Sequence, residues 1–168
     1  CTMSKENEKG IWYIDAEDIS DDFLTELNSD IHLISQFLKD WEAAKEDPKL
    51  KAIETTIKTS LKREPNRKII IFTEFSDTAD YLYENFSESN VRVMKYSSKI
   101  ATTINRDTIR ANFDAGYPAA MQKNDFDILV ATDAISEGFS LHRAGTIYNY
   151  DIPYNPTRVI QRVGRINR

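Results

Sequence analysis

The sequence predicts a three-layer α/β fold, a parallel sheet flanked by helices and preceded by a helical hairpin. Three observations carry that expectation. From Lys68 onward, short β-branched runs alternate with amphipathic stretches, the order that builds a parallel sheet. The run Lys68-Ile69-Ile70-Ile71-Phe72-Thr73 is apolar without alternation, as a strand covered on both faces must be. Before it, apolar residues recur every three or four positions, the period of helices.

The elements follow in order. Residues 1–19 form an irregular N-terminal segment without a sustained period, in which Ile11-Trp12-Tyr13-Ile14 reads as a short strand or a docking segment. Ser20 before Asp21 and Asp22 is a helix start, an oxygen cap with acids in the first turn. Leu24, Leu27, Ile31, Ile34, Leu38 and Trp41 then make one apolar stripe about five turns long. Asp47-Pro48 starts a second helix, proline suiting the first helical position. Its buried side is Leu50, Ile53, Ile57 and Leu61, and Pro65-Asn66 ends it. Residues 20–64 are thus a hairpin leading into a lobe over 65–168. In that lobe Ser76-Asp77 caps a helix carrying Ala79, Leu82, Tyr83 and Phe86, and Val91, Val93 and Met94 mark a second strand ending near Ser97-Ser98. Residues 103–115 read as a helix with Ile109 and Phe113 inward and Gly116 as its stop. Residues 127–132 and 146–150 are two further strands, and Asn155-Pro156 caps the last helix.

Composition bounds the function. The 168 residues, 40% hydrophobic, suffice for one ordinary core. The lone cysteine, Cys1, rules out an intramolecular disulfide and argues against a zinc cluster, so no metal-ligand set is expected. No run is long enough to cross a bilayer as a helix and no signal-peptide pattern opens the chain; the expected location is cytoplasmic, without a membrane partner. Net charge is −5, but residues 1–60 carry 7 basic and 14 acidic side chains, whereas the last eight residues carry three arginines and no acid. A local cationic site in an acidic chain suits one phosphate-bearing ligand better than a long duplex track. Position 1 is not methionine and the final arginine falls inside a motif, so the chain is expected to be a piece of a longer protein, truncated at or near the end of the lobe.

Ligands of parallel sheets bind outside the carboxyl ends of the strands. Here those ends are Thr73-Glu74-Phe75-Ser76, Tyr96-Ser97-Ser98, Thr132-Asp133 and Asp151, rich in hydroxyls that serve either as helix caps or as phosphate ligands. The closing segment, Gln161 to Arg168, places Val159, Val163 and Ile166 on one helical stripe and Gln161, Arg165 and Arg168 on the other. Two guanidiniums one turn apart call for an anion between them, or for solvent screening on a plain basic face. Gly164 in a helix interior points to a group close to the backbone. His32 and His142, with Trp12 and Trp41, read as structural or surface residues.

YDIPYNPTRVIQRVGRINR, residues 150–168, resembles the sixth motif of superfamily-two helicases and translocases, most like the Swi/Snf-like branch with its RapA-type bacterial ATPases. ILVATDAISEGFSL, residues 128–141, resembles the fifth motif, and KIIIFTEFSDTADYL, residues 68–82, the fourth. The resemblance implies a second RecA-like lobe, closing on ATP and magnesium bound mainly by a missing first lobe of the same parent chain. It implies Arg165 and Arg168 at the γ-phosphate, Gln161, Gly164, Glu137 and Gly138 in the ATP cleft, and Arg162 as a surface or interlobe contact. It implies Thr73, Ser76, Ser98, Lys99 and Thr132 at the nucleic-acid backbone, with DNA the first expectation and RNA the second. The parent is then an ATP-dependent helicase or translocase, and this chain alone is inactive. The competing expectation is a RecA-like module that binds nucleic acid or protein without hydrolysis.

Overall fold

The computed structural model describes residues 18–44, 46–89, 91–100, 102–136 and 139–166. The chain divides into two compact units, Cys1–Asp47 and Pro48–Arg168. The described part of the first is a single long helix, α1 (Asp21–Ala43), which buries none of its residues. It starts after Ser20 as expected, though the Ser20 side chain makes no capping bond. The expected Ile11–Ile14 segment lies outside the described residues.

The second unit is built on four parallel strands, β1 (Lys68–Thr73), β2 (Val93–Tyr96), β3 (Ile128–Thr132) and β4 (Ala144–Asn149), in the order β2-β3-β1-β4. Alternate residues of each strand feed opposite faces. Ile69, Ile71, Ile128 and Val130 pack with Ile57 of α2 (Pro48–Arg63) and with Ala79, Leu82 and Phe86 of α3 (Ser76–Glu88). Ile70, Phe72, Leu129 and Ala131 pack with Ile109 and Phe113 of α4 (Thr103–Phe113). These two cores make the expected three layers, and α2 belongs to the lobe's core. The last helix is α5 (Pro156–Val163). Among the described residues no helix is long and apolar enough to cross a membrane.

Boundaries moved where side chains intervene. The cap of α3 is Phe75, with Ser76 inside the helix; the Thr73 hydroxyl accepts the Phe75 N–H at 3.4 Å and organises the turn from two residues upstream. Helix α4 stops at Phe113 rather than residue 115, because Asp114 leaves the helix and accepts the Gly116 N–H at 2.8 Å. At the amino edge of the sheet, Lys68 is buried and donates to the Phe126 carbonyl at 2.6 Å. Its burial, and next the charge of Arg143, push the ammonium down to about 8.

Candidate functional site

The sheet register gathers the site at its carboxyl edge. β1 and β3 end side by side at Thr73 and Thr132, and Asn149 of β4 pairs with Phe72. Pairing runs one residue past β4, the Tyr150 N–H donating to the Phe72 carbonyl at 2.8 Å. That brings Asp151 onto Thr73, whose hydroxyl donates to its carboxylate. A short 3₁₀ turn, Asp133–Ser136, follows β3 and presents Asp133.

Helix α5 enters over this edge. Asn155 caps it by accepting the Thr157 N–H at 3.0 Å, and Pro156 fills the first turn, both as the sequence predicts. Arg162 then points down into the sheet end, 2% exposed. Its Nε and Nη2 donate to the two Asp133 oxygens at 2.7 and 2.9 Å, and Nη1 donates to Asn149 Oδ1 at 2.8 Å and to the Asp151 carbonyl at 3.4 Å. The guanidinium also lies 5.0 Å from the centre of the Phe72 ring. A buried cation requires such pairing, and the planar fork of arginine fits a carboxylate with two parallel bonds. One side chain thereby ties α5 to the ends of β1, β3 and β4.

A second cation sits outside it. Arg158 reaches Glu74 at 3.0 Å and Asp133 at 3.4 Å, while Lys49 of α2 reaches Asp151 at 3.3 Å and stacks 3.9 Å over the Tyr150 ring. Three carboxylates, Glu74, Asp133 and Asp151, thus meet three cations, Lys49, Arg158 and Arg162. An incoming phosphate gains little from cations already neutralised this way.

This corrects the expectation for the closing helix. Arg162 was expected at the surface or between lobes, and Val163 on the packed stripe. In the structure Arg162 is the buried position and Val163 is 43% exposed. The reason is that Asp133 and Asn149 pair the guanidinium at the sheet end and turn that face of α5 inward; the helix itself ends at Val163, with Gly164 as its cap. The Arg165 and Ile166 N–H groups donate to residues three back, Arg162 and Val163, at 3.1 Å each, so Gln161 and Arg165 no longer share a helical face. Gln161 is exposed. Arg165, half-buried, is turned toward the loop after β3, its guanidinium 3.4 Å from the Phe139 carbonyl; its own carbonyl accepts the Leu141 N–H at 2.9 Å. A Cβ at Gly164 would meet only ordinary contacts, Ile160 O at 3.4 Å and Gln161 O at 3.5 Å, so nothing among the described residues demands glycine there. Arg168, Glu137 and Gly138 lie outside the described residues.

The expected nucleic-acid contacts separate by burial. Thr73 and Thr132 are buried, the first completely, because both end the two central strands. In this structure the Thr73 hydroxyl holds Asp151 and the turn into α3. Ser76 is half-buried, whereas Ser98 and Lys99 are exposed after β2, Lys99 lying 3.4 Å from Asp77. His142 pairs locally with Ser140 at 2.7 Å. Among the described residues no group of three or more His, Cys, Asp or Glu side chains could hold a metal ion. Sequence reading missed Asn149 and the pairing of Asp133 with Arg162; the signal was an arginine in the last helix with acids at several strand ends.

A parallel α/β sheet with helices on both faces, its polar and charged groups gathered where the strands end, defines a RecA-like lobe. Residues 48–168 match the family described as the helicase conserved C-terminal domain, and the chain belongs to that family. It is similar to the ATP-dependent helicase YqhH of Bacillus subtilis, 32% identical over 104 residues, covering 60% of this chain and 16% of that protein. It is also similar to the DEAD-box ATP-dependent RNA helicase RhpA of Helicobacter pylori, 31% identical over 102 residues, covering 61% and 19%. The chain thus spans less than a fifth of the length of either relative. Among solved structures, the Pyrococcus furiosus Hef helicase domain superposes with a TM-score of 0.59 at 24% identity, over 84% of this chain and 28% of that one; this supports the fold.

Proposed function

We propose that the chain is the second RecA-like lobe of an ATP-dependent nucleic-acid helicase or translocase, closing on ATP held mainly by a first lobe of the parent. The observation that supports it best is the division of labour among the arginines: Arg162 is spent on Asp133 and Asn149 inside the lobe, while Arg165, half-buried where the helix stops, makes a long 3.4 Å bond to the Phe139 carbonyl. In this reading Arg165 and Arg168 stabilise charge on the transferred phosphoryl group, which bound ATP supplies. A planar, permanent cation suits that charge. Gln161 and Gly164, with Glu137 and Gly138, line the cleft. Ser76, Ser98 and Lys99 contact the nucleic-acid backbone. Relatives named as RNA helicases favour RNA. The Asp-x-Pro-x-x-Pro lead-in from Asp151 to Pro156, which resembles the Swi/Snf-like branch, favours DNA as the second reading.

Single-turnover hydrolysis by the parent protein, with RNA or DNA present, tests this. Arg165→Ala is expected to slow the chemical step by roughly 10² or more, with lysine a poor rescue, given about 10³ to 10⁵ for arginine fingers elsewhere. Normal hydrolysis by Arg165→Ala overturns the assignment. The 168-residue chain alone is expected to show no ATPase above background, and steady hydrolysis by it rejects the split site.

A further inference from the structure

Helix α1 carries an apolar seam that no other described residue of its own unit covers. Leu24, Leu27, Ile31, Ile34, Leu38 and Trp41 follow alternating steps of three and four without a break and are 41–81% exposed; Phe23 and Phe37 widen the seam on one side, 48% and 63% exposed. Such spacing is the a/d repeat by which helices supercoil around one another. The seam runs about 26 Å along the helix, and an exposed apolar surface of that extent marks an interaction site.

We propose that α1 pairs antiparallel with α1 of a second copy of this chain. Layer matching favours it. Reversed about the seam's midpoint, Leu24 faces Trp41, Leu27 faces Leu38 and Ile31 faces Ile34, each layer joining an a to a d position. A parallel pair instead stacks Trp41 on Trp41. The helix dipoles favour it too, since an antiparallel pair opposes them. The first half of α1 carries four acids, Asp21, Asp22, Glu26 and Asp30, whereas the second carries Lys39 with Asp40 and Glu42. The antiparallel pair avoids stacking the acidic half on itself, although Asp21 then lies nearest Glu42 of the other copy. The area also suffices: eight large side chains roughly half-exposed leave on the order of 800 Å² per helix, so pairing removes about 1,600 Å², the size of a standard specific interface.

Sedimentation equilibrium of the 168-residue chain carrying Cys1→Ser, which removes the sole thiol, tests it. A micromolar dimer is expected. Ile31→Asp with Ile34→Asp should weaken it at least 100-fold, while Thr25→Asp, off the seam, leaves it unchanged; unaltered tyrosine circular dichroism shows that the lobe stays folded in each variant. For orientation, Asn28→Cys and Ser35→Cys chains should cross-link to each other when mixed and not to themselves. A wild-type chain monomeric to about 100 µM, whatever then covers the seam, overturns the proposal, as does a charged double variant that dimerises like wild type. Cross-linking of Asn28→Cys to itself rejects the antiparallel arrangement.

Discussion

Replacing Arg162 with methionine removes the guanidinium and keeps most of the apolar stem over Phe72. Breaking a buried ion pair by deleting one partner costs about 3–5 kcal/mol. Here the orphaned Asp133 side chain is 26% exposed and retains Arg158 at 3.4 Å, so water and that arginine recover part of the loss. The expected destabilisation is about 2–3 kcal/mol, which for a lobe of this size lowers Tm by roughly 10 °C. Arg162→Lys keeps a charge but cannot span Asp133 and Asn149 together, and should cost about 1–2 kcal/mol. Both tryptophans, Trp12 and Trp41, precede residue 48, whereas seven of the eight tyrosines follow it. Urea unfolding followed by tyrosine near-ultraviolet circular dichroism therefore reports the lobe, with tryptophan fluorescence reporting the other unit. A double-mutant cycle with Asp133→Asn should give a coupling of at least about 1.5 kcal/mol. If Arg162→Met unfolds within about 0.5 kcal/mol of wild type, the clamp does not hold the strand ends together.

Two further perturbations probe the amino edge. Lys68 titrates at about 8 in the folded lobe against 10.5 unfolded, so the folded state disfavours its charge. That cost is fully present below pH 8 and is relieved as pH rises toward 10.5, where both states are neutral. The stability of wild type relative to Lys68→Met should therefore rise across that window, and a flat difference refutes the shift. Gly145→Ala places a Cβ 2.7 Å from Arg67 Nε, in a side chain held by Thr146 at 2.8 Å, by Glu64 at 2.5 Å and by the Gly145 carbonyl; it should cost about 1–3 kcal/mol by thermal melting, and Arg67→Ala should abolish most of that penalty.

The parts legible in the sequence are those set by neighbours along the chain. Ile69 to Phe72 declare a doubly covered strand because both faces need apolar side chains, and Ile109 with Phe113 declare a helix face by spacing alone. Asn155-Pro156 locates the start of α5 because its cap bond is local. The face of α5 was not legible, since the spacing of Val159, Val163 and Ile166 marks an apolar stripe, whereas Val163 is exposed and the helix stops there. Nor was the burial of Arg162, whose partners lie 29 and 13 residues away at the ends of other strands. Spacing alone groups Thr73 with Ser98 as hydroxyls at strand ends. Only the register, Thr73 beside Thr132 between β3 and β4, puts one inside and leaves the other in solvent.

That difference gives Thr73 and Lys99 opposite signatures in nucleic-acid binding by the parent protein. Each phosphate contact to a single strand contributes about −0.7 to the slope of log affinity against log salt, because a counterion is released. Lys99 is 66% exposed and its pairing with Asp77 is long and solvated, so the ammonium is available to a phosphate. Lys99→Ala should flatten the slope by about 0.7. Thr73 is 0% exposed, and its hydroxyl proton already goes to Asp151. Thr73→Val, close in volume, should cost about 1–2 kcal/mol of lobe stability through the lost bond and leave the slope unchanged. Any loss of affinity should then be the same at every salt concentration, since it comes from a loosened edge and not from a missing contact. Fluorescence anisotropy with a short single-stranded RNA across a salt series separates the two. If Thr73→Val flattens the slope as much as Lys99→Ala does, Thr73 reaches the backbone in the bound state, and the carboxyl edge must open to let it.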